Sequence, residues 1–221
     1  MSRIHPTEKF SPAGPHPPSP PSVFTLWKRS TMNFQGTDGF TVFDHLGKLA
    51  FRVENYARNR CFTAVAAGGL LLMDGSGKPL LTVKPKTLSM KNQWNGYRGE
   101  LDCSKNATPR LFTMRRPSSL IHTSACEAEI HNDESISENR SAPPDFKIEG
   151  SFGRRSCKIT RGATGEEVAK ISRKTVNATL MLSNDVFTLM VQPGIEPELV
   201  MAFVIILDRI CIKPFSPLLC S

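Results

Sequence analysis

The chain has 221 residues, of which 39% are hydrophobic, so it can bury a sizeable core as one large domain or two small ones. Its formal net charge of +8 permits an anionic partner such as a lipid surface or a nucleic acid, although a solvated basic surface explains the same excess. No apolar run approaches the ~20 residues that a membrane-spanning helix needs, so the sequence predicts no transmembrane segment.

The six cysteines show neither CxxC spacing nor clustering with histidine. We therefore expect reduced thiols, no metal site and no cofactor. The N-terminus is too polar and proline-rich to supply the apolar region of a signal peptide. The chain is accordingly expected to be intracellular, in the cytoplasm, at a membrane surface or in the nucleus, and not secreted.

The two ends of the chain differ in composition from its middle. Residues 1–22 hold seven prolines, which predicts a disordered, partly polyproline tail. Residues 23–213 are expected to form the folded domain, and residues 214–221 a second, short tail. Within the domain, residues 131–144 are polar, acidic and without periodicity, which indicates a flexible loop.

From residue 23 onward, short apolar or alternating runs are separated by turn residues, which is typical of β-strands. After a first strand at 24–28, a predicted hairpin over 39–54 places one apolar layer opposite the water-facing Arg52 and Glu54. The apolar layer consists of Phe40, Val42, Leu49, Phe51 and Val53. The same design recurs over 70–84. Further strands are predicted at 87–90, 111–115, 125–131, 146–149, 156–160, 168–173, 178–182 and 186–191.

The most apolar stretch is 197–212, which contains no polar side chain between Leu199 and Leu207. Pro197 and Glu198 suit the first turn of a helix, so a helix is the favoured interpretation, and a fully buried strand is the alternative. A helix that is apolar on every face must be enclosed. Its predicted core residues are Leu199, Val200, Met201, Phe203, Val204, Ile205, Ile206, Leu207 and Ile210.

About a dozen strands followed by one all-apolar helix predict a mainly β fold, a closed antiparallel barrel with the helix at its centre. The barrel removes sheet edges and surrounds the helix with an apolar wall. Trp94 and Tyr97, which stand beside glycines, are expected to plug one end of the barrel. Stacking on a ligand is the alternative for these two rings.

Several segments resemble a known family. They are Gly39–Asp44 with Gly47, Phe51–Tyr56, Leu72–Asp74 with Gly77–Leu81, Trp94 with Tyr97–Glu100, Val186–Phe187 with Val191–Gly194, and Leu207–Arg209. In these segments the chain resembles the plant LURP-one-related family, which shares the tubby C-terminal fold with tubby proteins and phospholipid scramblases. The resemblance covers residues 23–212 and departs from the family at Glu196, where Asp is frequent, and in the loop 131–144.

The resemblance implies a barrel of about twelve strands around a central C-terminal helix. It also implies a link to plant defence, and kinship with tubby proteins implies phosphoinositide-dependent tethering to membranes, coupled to transcription. Fold kinship alone does not establish function. The alternatives are a nucleic-acid-associated regulator and a protein–protein interaction module without a lipid ligand.

No nucleophile–base pair or phosphate-binding loop is recognisable, so we expect no catalytic residues and no enzymatic activity. A multiply phosphorylated headgroup requires several cationic donors. The candidate contacts with anionic lipid are Lys84, Lys86, Arg98, Arg115, Arg116, Arg154, Arg155, Lys158, Lys170, Arg173 and Lys174. For each cluster among them, an ordinary solvated surface is the alternative.

Overall fold

The computed structural model describes residues 19–29, 39–55, 69–86, 93–101, 108–116, 128–132, 143–175 and 182–211. These ranges contain β1 Ser22–Arg29, β2 Gly39–Phe43, β3 Leu49–Asn55, β4 Leu70–Asp74, β5 Pro79–Pro85, β6 Trp94–Arg98, β7 Arg110–Arg115, β8 Ala128–Asn132, β9 Phe146–Ser151, β10 Ser156–Arg161, β11 Glu167–Arg173, β12 Val186–Val191 and the helix α1 Pro197–Cys211. Several predictions concern residues outside the described ranges: most of the tail 1–22, the strand at 87–90, nearly all of the strand at 178–182, the middle of the loop 131–144, and the tail 214–221.

The twelve strands form one closed antiparallel barrel, in which each strand pairs with its neighbours in the chain and β12 closes on β1. The predicted barrel is therefore confirmed. Thr25 on β1 lies opposite Thr188 on β12 on one side and opposite Phe43 on β2 on the other. The neighbours of β12 are β1 and β11, with Ile171 of β11 opposite Leu189 of β12.

Side chains alternate between the barrel interior and its outer surface, as strand geometry requires. Leu26, Val42 and Phe187 are fully buried inside the barrel. In the predicted hairpin layer, Phe40 and Val53 are also buried with Val42, whereas Leu49 and Phe51 are half-buried. The hairpin is confirmed, and Phe40, Val42, Phe51 and Val53 belong to the barrel core or pack against it, whereas Leu49 lies opposite Phe43 beyond a register shift.

The helix prediction is confirmed over Pro197–Cys211. Every residue from Val200 to Leu207 is buried, and Leu199 and Ile210 pack against the same core with partial exposure. Phe203 contacts two rings of the wall, with centroid distances of 5.1 Å to Phe112 and 5.7 Å to Phe146. Among the described residues, no helix is both long and apolar enough to cross a membrane.

The strand β6 was not predicted, because Asn95 and Gly96 interrupt its pattern. Trp94 is buried at the first position of β6, and Tyr97 is half-buried in the same strand. Gly96 is required at its position, since a Cβ atom there would lie 2.1 Å from the ring of Phe112. The glycine thus gives Phe112 the space it needs to reach the central helix.

The two cysteines in the described residues differ in state. Cys211, the last residue of α1, is disulfide-bonded, so the expectation of reduced thiols is wrong at this position. Cys157 on β10 is a free thiol with its side chain buried in the core. Burial raises the pKa of the Cys157 thiol to about 11.

We expect Cys157 to resist alkylation in the native protein. At pH 8 a thiol with this pKa is only ~0.1% thiolate, compared with roughly a quarter for a free cysteine, and the buried sulfur is also shielded from the reagent. Treatment with iodoacetamide at pH 8 followed by peptide mapping should leave residue 157 unmodified. The same treatment in guanidinium should label it fully, and equal labelling in both conditions would contradict the buried position.

Candidate functional site

The two ends of the barrel are identified by the two ends of the helix. We call the end at which α1 begins the N-terminal rim; Glu196 lies there, beside Arg98 at the end of β6. We call the opposite end, at which α1 finishes, the C-terminal rim. Asp208 lies there and accepts a hydrogen bond of 3.0 Å from Lys28 Nζ at the end of β1.

Of the eleven candidate residues, Arg98 alone lies at the N-terminal rim. Its Nη2 donates to both carboxylate oxygens of Glu196, at 2.9 and 3.1 Å, with both side chains exposed. An exposed ion pair of this kind contributes little stability. It also leaves Arg98 partly neutralised and far from the other candidates.

Four candidates lie where β5 and β7 reach the C-terminal rim: Lys84, Lys86, Arg115 and Arg116. Lys84 is half-buried, and this burial lowers the pKa of its ammonium group. Arg115 pairs with Glu129 on β8 at 3.3 Å. Since β6 separates β5 from β7, the two pairs of residues are neighbours along the rim but do not form a single cluster.

Five candidates come together on the adjacent strands β10 and β11 and the turn before β10. We call this group the basic wall; it comprises Arg154, Lys158, Lys170, Arg173 and Lys174. Lys158 lies directly opposite Lys170 in the strand register. Arg173 Nε donates to the backbone carbonyl oxygen of Arg154 at 3.2 Å, which ties the turn to the end of β11.

The charge of the basic wall is only partly balanced. Lys158 faces Glu149 across the strand pair and lies 3.8 Å from a carboxylate oxygen of Glu167. Within the described ranges, no carboxylate lies within ion-pair distance of the other four cations of the basic wall. Of the five cations of the basic wall, four are therefore left without an ion-pair partner among the described residues.

A row of hydroxyl groups crosses the same surface. Ser156 lies opposite Ser151 on β9, and Ser172 lies opposite Thr188 on β12, which in turn faces Thr25 on β1. Because Cys157 pairs with Ile171, the next outward positions, Ser156 and Ser172, are also neighbours. We call Ser151, Ser156, Ser172, Thr188 and Thr25 the hydroxyl row. Lys174 Nζ donates to Thr25 Oγ1 at 3.2 Å, across the intervening β12.

Arg155 differs from the other candidates because it is buried, with only 5% of its surface exposed. Its guanidinium carbon lies 4.4 Å from the ring centroid of Phe152 and 4.1 Å from that of Phe187. Its Nε donates to the backbone carbonyl oxygen of Asn184 at 2.7 Å. Arg155 therefore closes the C-terminal rim from inside and is not available to a ligand on the outer surface.

The sequence reasoning missed three features of this region: the Lys28–Asp208 pair, the hydroxyl row, and the outward orientation of Trp27, which is 51% exposed. Alternation along β1, with Phe24 and Leu26 inside, would have placed Trp27 outside. The other two features depend on contacts between distant segments. Within the described residues, no group of three histidine, cysteine or acidic side chains is arranged to hold a metal ion.

The architecture defines the class of protein: a closed antiparallel β-barrel of twelve strands around a buried C-terminal helix. Residues 22–208 match the family model described as LURP-one-related. Protein LURP-one-related 5 of Arabidopsis thaliana is 37% identical over 187 residues, covering 84% of this chain and 82% of that protein. Protein LURP-one-related 8 of the same plant is 35% identical over 189 residues, covering 85% and 86%.

The chain therefore belongs to the LURP-one-related family. An X-ray structure of a protein from Arabidopsis thaliana, 22% identical in sequence, has the same fold with a TM-score of 0.58. The likeness covers 87% of this chain and 93% of that one.

Proposed function

We propose that this protein is a non-enzymatic, tubby-like module that attaches to membranes by binding anionic phospholipids, phosphoinositides included, in plant defence signalling linked to transcription. The observation that carries the proposal is the basic wall, in which four cations have no carboxylate at ion-pair distance within the described ranges and lie on the same strands as the hydroxyl row or next to them. Clustered ammonium and guanidinium groups bind phosphate, and serine and threonine hydroxyls add hydrogen bonds to its oxygens.

The same basic surface would also attract a nucleic acid, which makes nucleic-acid binding one outcome of the test. Lipid binding and nucleic-acid binding are distinguished by measuring vesicle flotation and DNA duplex binding side by side at physiological salt. Neutral phosphatidylcholine vesicles are compared with vesicles that also contain phosphatidylserine or a phosphoinositide. We expect flotation with the anionic vesicles only. Absence of flotation at physiological salt would overturn the proposal. If the protein instead bound duplex DNA with a strong dependence on salt, a nucleic-acid-associated regulator would be favoured.

Neutralising two residues of the basic wall should weaken this attachment strongly. Each cation near an anionic surface contributes about 1 kcal/mol, so Lys170→Gln with Arg173→Gln should lower vesicle affinity about thirtyfold. The matched control is Lys48→Gln with Lys78→Gln, which removes the same charge from two exposed turns at the N-terminal rim. Equal losses in the two double variants would show that net charge acts without a specific site, and no loss in the first would exclude the basic wall.

A further inference from the structure

The exposed apolar residues are concentrated on one side of the barrel. Among the described residues, four large hydrophobic side chains are exposed: Val23, Trp27, Leu46 and Leu182. Val23 and Trp27 project outward from β1, since Phe24 and Leu26 on the same strand point into the core. Leu182 lies beside the end of β11, where its amide donates to the carbonyl oxygen of Lys174. Only Leu46 lies elsewhere, in the turn between β2 and β3 at the N-terminal rim.

Two half-buried residues of β12 join these side chains into one surface. Val186 lies opposite Trp27, and Met190 lies opposite Val23. We call Val23, Trp27, Leu182, Val186 and Met190 the apolar strip. On the outer surface of β1 and β12 it consists of two apolar pairs, Val23–Met190 and Trp27–Val186, with the Thr25–Thr188 pair between them; Leu182 lies at the C-terminal rim.

The apolar strip and the basic wall are directly adjacent. Met190 of the strip lies opposite Lys170 of the wall in the strand register. Lys174 reaches across β12 to Thr25, which stands between Val23 and Trp27 on β1. The four strands β1, β12, β11 and β10 thus present one amphiphilic face about 15 Å wide, at about 4.8 Å per strand spacing.

We infer that this face is a membrane-docking surface in which Trp27 enters the headgroup region of an anionic bilayer while the basic wall binds lipid phosphates. The inference rests on the proposed function and assigns the residues that perform it. Tryptophan favours the boundary between the apolar and polar layers of a bilayer, because its ring is apolar and its N–H is a donor. Cations beside it are then held at the level of the phosphates.

The chemistry of the face favours a bilayer over the other occupants. Trp27 is able to stack on a nucleic-acid base, but the aliphatic side chains beside it, Val23, Val186 and Met190, are not, since base stacking uses aromatic or guanidinium planes. A second copy docked through the same face, with the twofold axis running across the strands, would bring the two basic walls against each other. A fluid anionic surface accepts both the apolar strip and the cations without this conflict.

The two tryptophans of the chain allow a direct test. Trp94 is buried in the core with 8% exposure, so it cannot reach lipid, whereas Trp27 is half-exposed. Fluorescence is measured on the full chain with phosphatidylcholine–phosphatidylserine vesicles whose acyl chains are brominated near the headgroup. We expect quenching and a blue shift in the wild type. In Trp27→Phe, the remaining emission from Trp94 should be unaffected by the same vesicles.

A second variant measures the contribution of the ring to binding. Trp27→Gln should lower vesicle affinity about tenfold, because roughly half of a large apolar side chain is lost from the contact. Leu46→Gln, which changes an even more exposed apolar residue at the N-terminal rim, should bind as the wild type does. In Trp27→Gln the remaining emission comes from Trp94 and shows that the core of this variant is intact.

The outcomes separate the inference from the function on which it rests. Flotation with anionic vesicles but without quenching of Trp27 would overturn the docking surface and leave lipid binding in place. Absence of flotation would overturn both. A blue shift that depends on protein concentration in the absence of vesicles would contradict the inference by showing self-association. Equal quenching by neutral and anionic vesicles would contradict it by showing nonselective adsorption.

Discussion

Phe203→Asp is expected to leave no folded barrel. Phe203 is fully buried in the middle of α1, in contact with the rings of Phe112 and Phe146. Truncating a buried phenylalanine costs about 3–5 kcal/mol, and a carboxylate at the same place adds several more, since nothing in its surroundings pairs with it. Together these costs are of the same size as the ~5–15 kcal/mol by which domains are stable.

The variant should be found in the insoluble fraction on expression, and any purified material should show no near-ultraviolet circular dichroism and no cooperative melting. Phe203→Leu is the matched control. It keeps an apolar side chain and should fold with a loss of about 1–2 kcal/mol, because only part of the ring volume becomes a cavity. A normal melting transition for Phe203→Asp would contradict the central position of the helix.

The barrel and its helix could be predicted because each produces a local pattern. Strands such as β2 and β3 alternate with period two, and nine consecutive residues from Leu199 to Leu207 are apolar on all faces. The strand β6 has no such pattern, since Asn95 and Gly96 occupy two of its five positions. Its course is determined by pairing with β5 and β7, which a single segment does not encode.

The candidate site could be predicted only in part. The basic residues are visible in the sequence, but the basic wall exists because Lys158 and Lys170 meet across one strand pair. The basic wall lies beside the apolar strip because β12 pairs with β1 and closes the barrel, which places Thr188 opposite Thr25. The hydrophobic pattern fixes which face of each strand is buried, but no short turn joins β1 to β12, so the sequence does not show which of their residues lie opposite each other.

Arg155 shows how local sequence can mislead. It follows another arginine in a polar turn, which indicates a surface position. Its backbone, however, adopts φ of 52°, in the left-handed region that most residues avoid. The side chain consequently turns inward between two phenylalanine rings, one of which, Phe187, belongs to a distant strand.

Removing the carboxylate of Asp208 should also lower the stability of the folded protein strongly. Asp208 is buried, with 5% of its side chain exposed, and its Oδ1 lies 3.0 Å from Nζ of Lys28, which is 14% exposed. The guanidinium group of Arg155 also interacts electrostatically with Asp208. Its Nη1 is buried and has no hydrogen-bond partner in the part of the chain that the structure describes. Asp208 is thus the buried carboxylate that compensates two cations at the C-terminal rim.

Breaking a buried ion pair by removing one partner costs about 3–5 kcal/mol, because the remaining charge stays desolvated. Asp208→Leu should therefore lower the free energy of unfolding by this amount, measured by urea denaturation. Lys28→Met with Asp208→Leu should recover part of the loss, since an apolar pair of similar volume needs no compensation. The double variant still contains Arg155, so recovery should be incomplete, and adding Arg155→Met should increase it.

The pair also links the helix to the strand that carries Trp27, the residue next to Lys28. Loss of the Lys28–Asp208 pair should allow the end of β1 to separate from α1 before the whole barrel unfolds. Amide hydrogen exchange in Asp208→Leu should therefore accelerate more at residues 26–29 than at residues 168–172. A loss below about 1 kcal/mol in Asp208→Leu would show that solvent already screens the pair. Uniform acceleration across both segments would show instead that the pair stabilises the barrel as a whole and does not specifically hold β1.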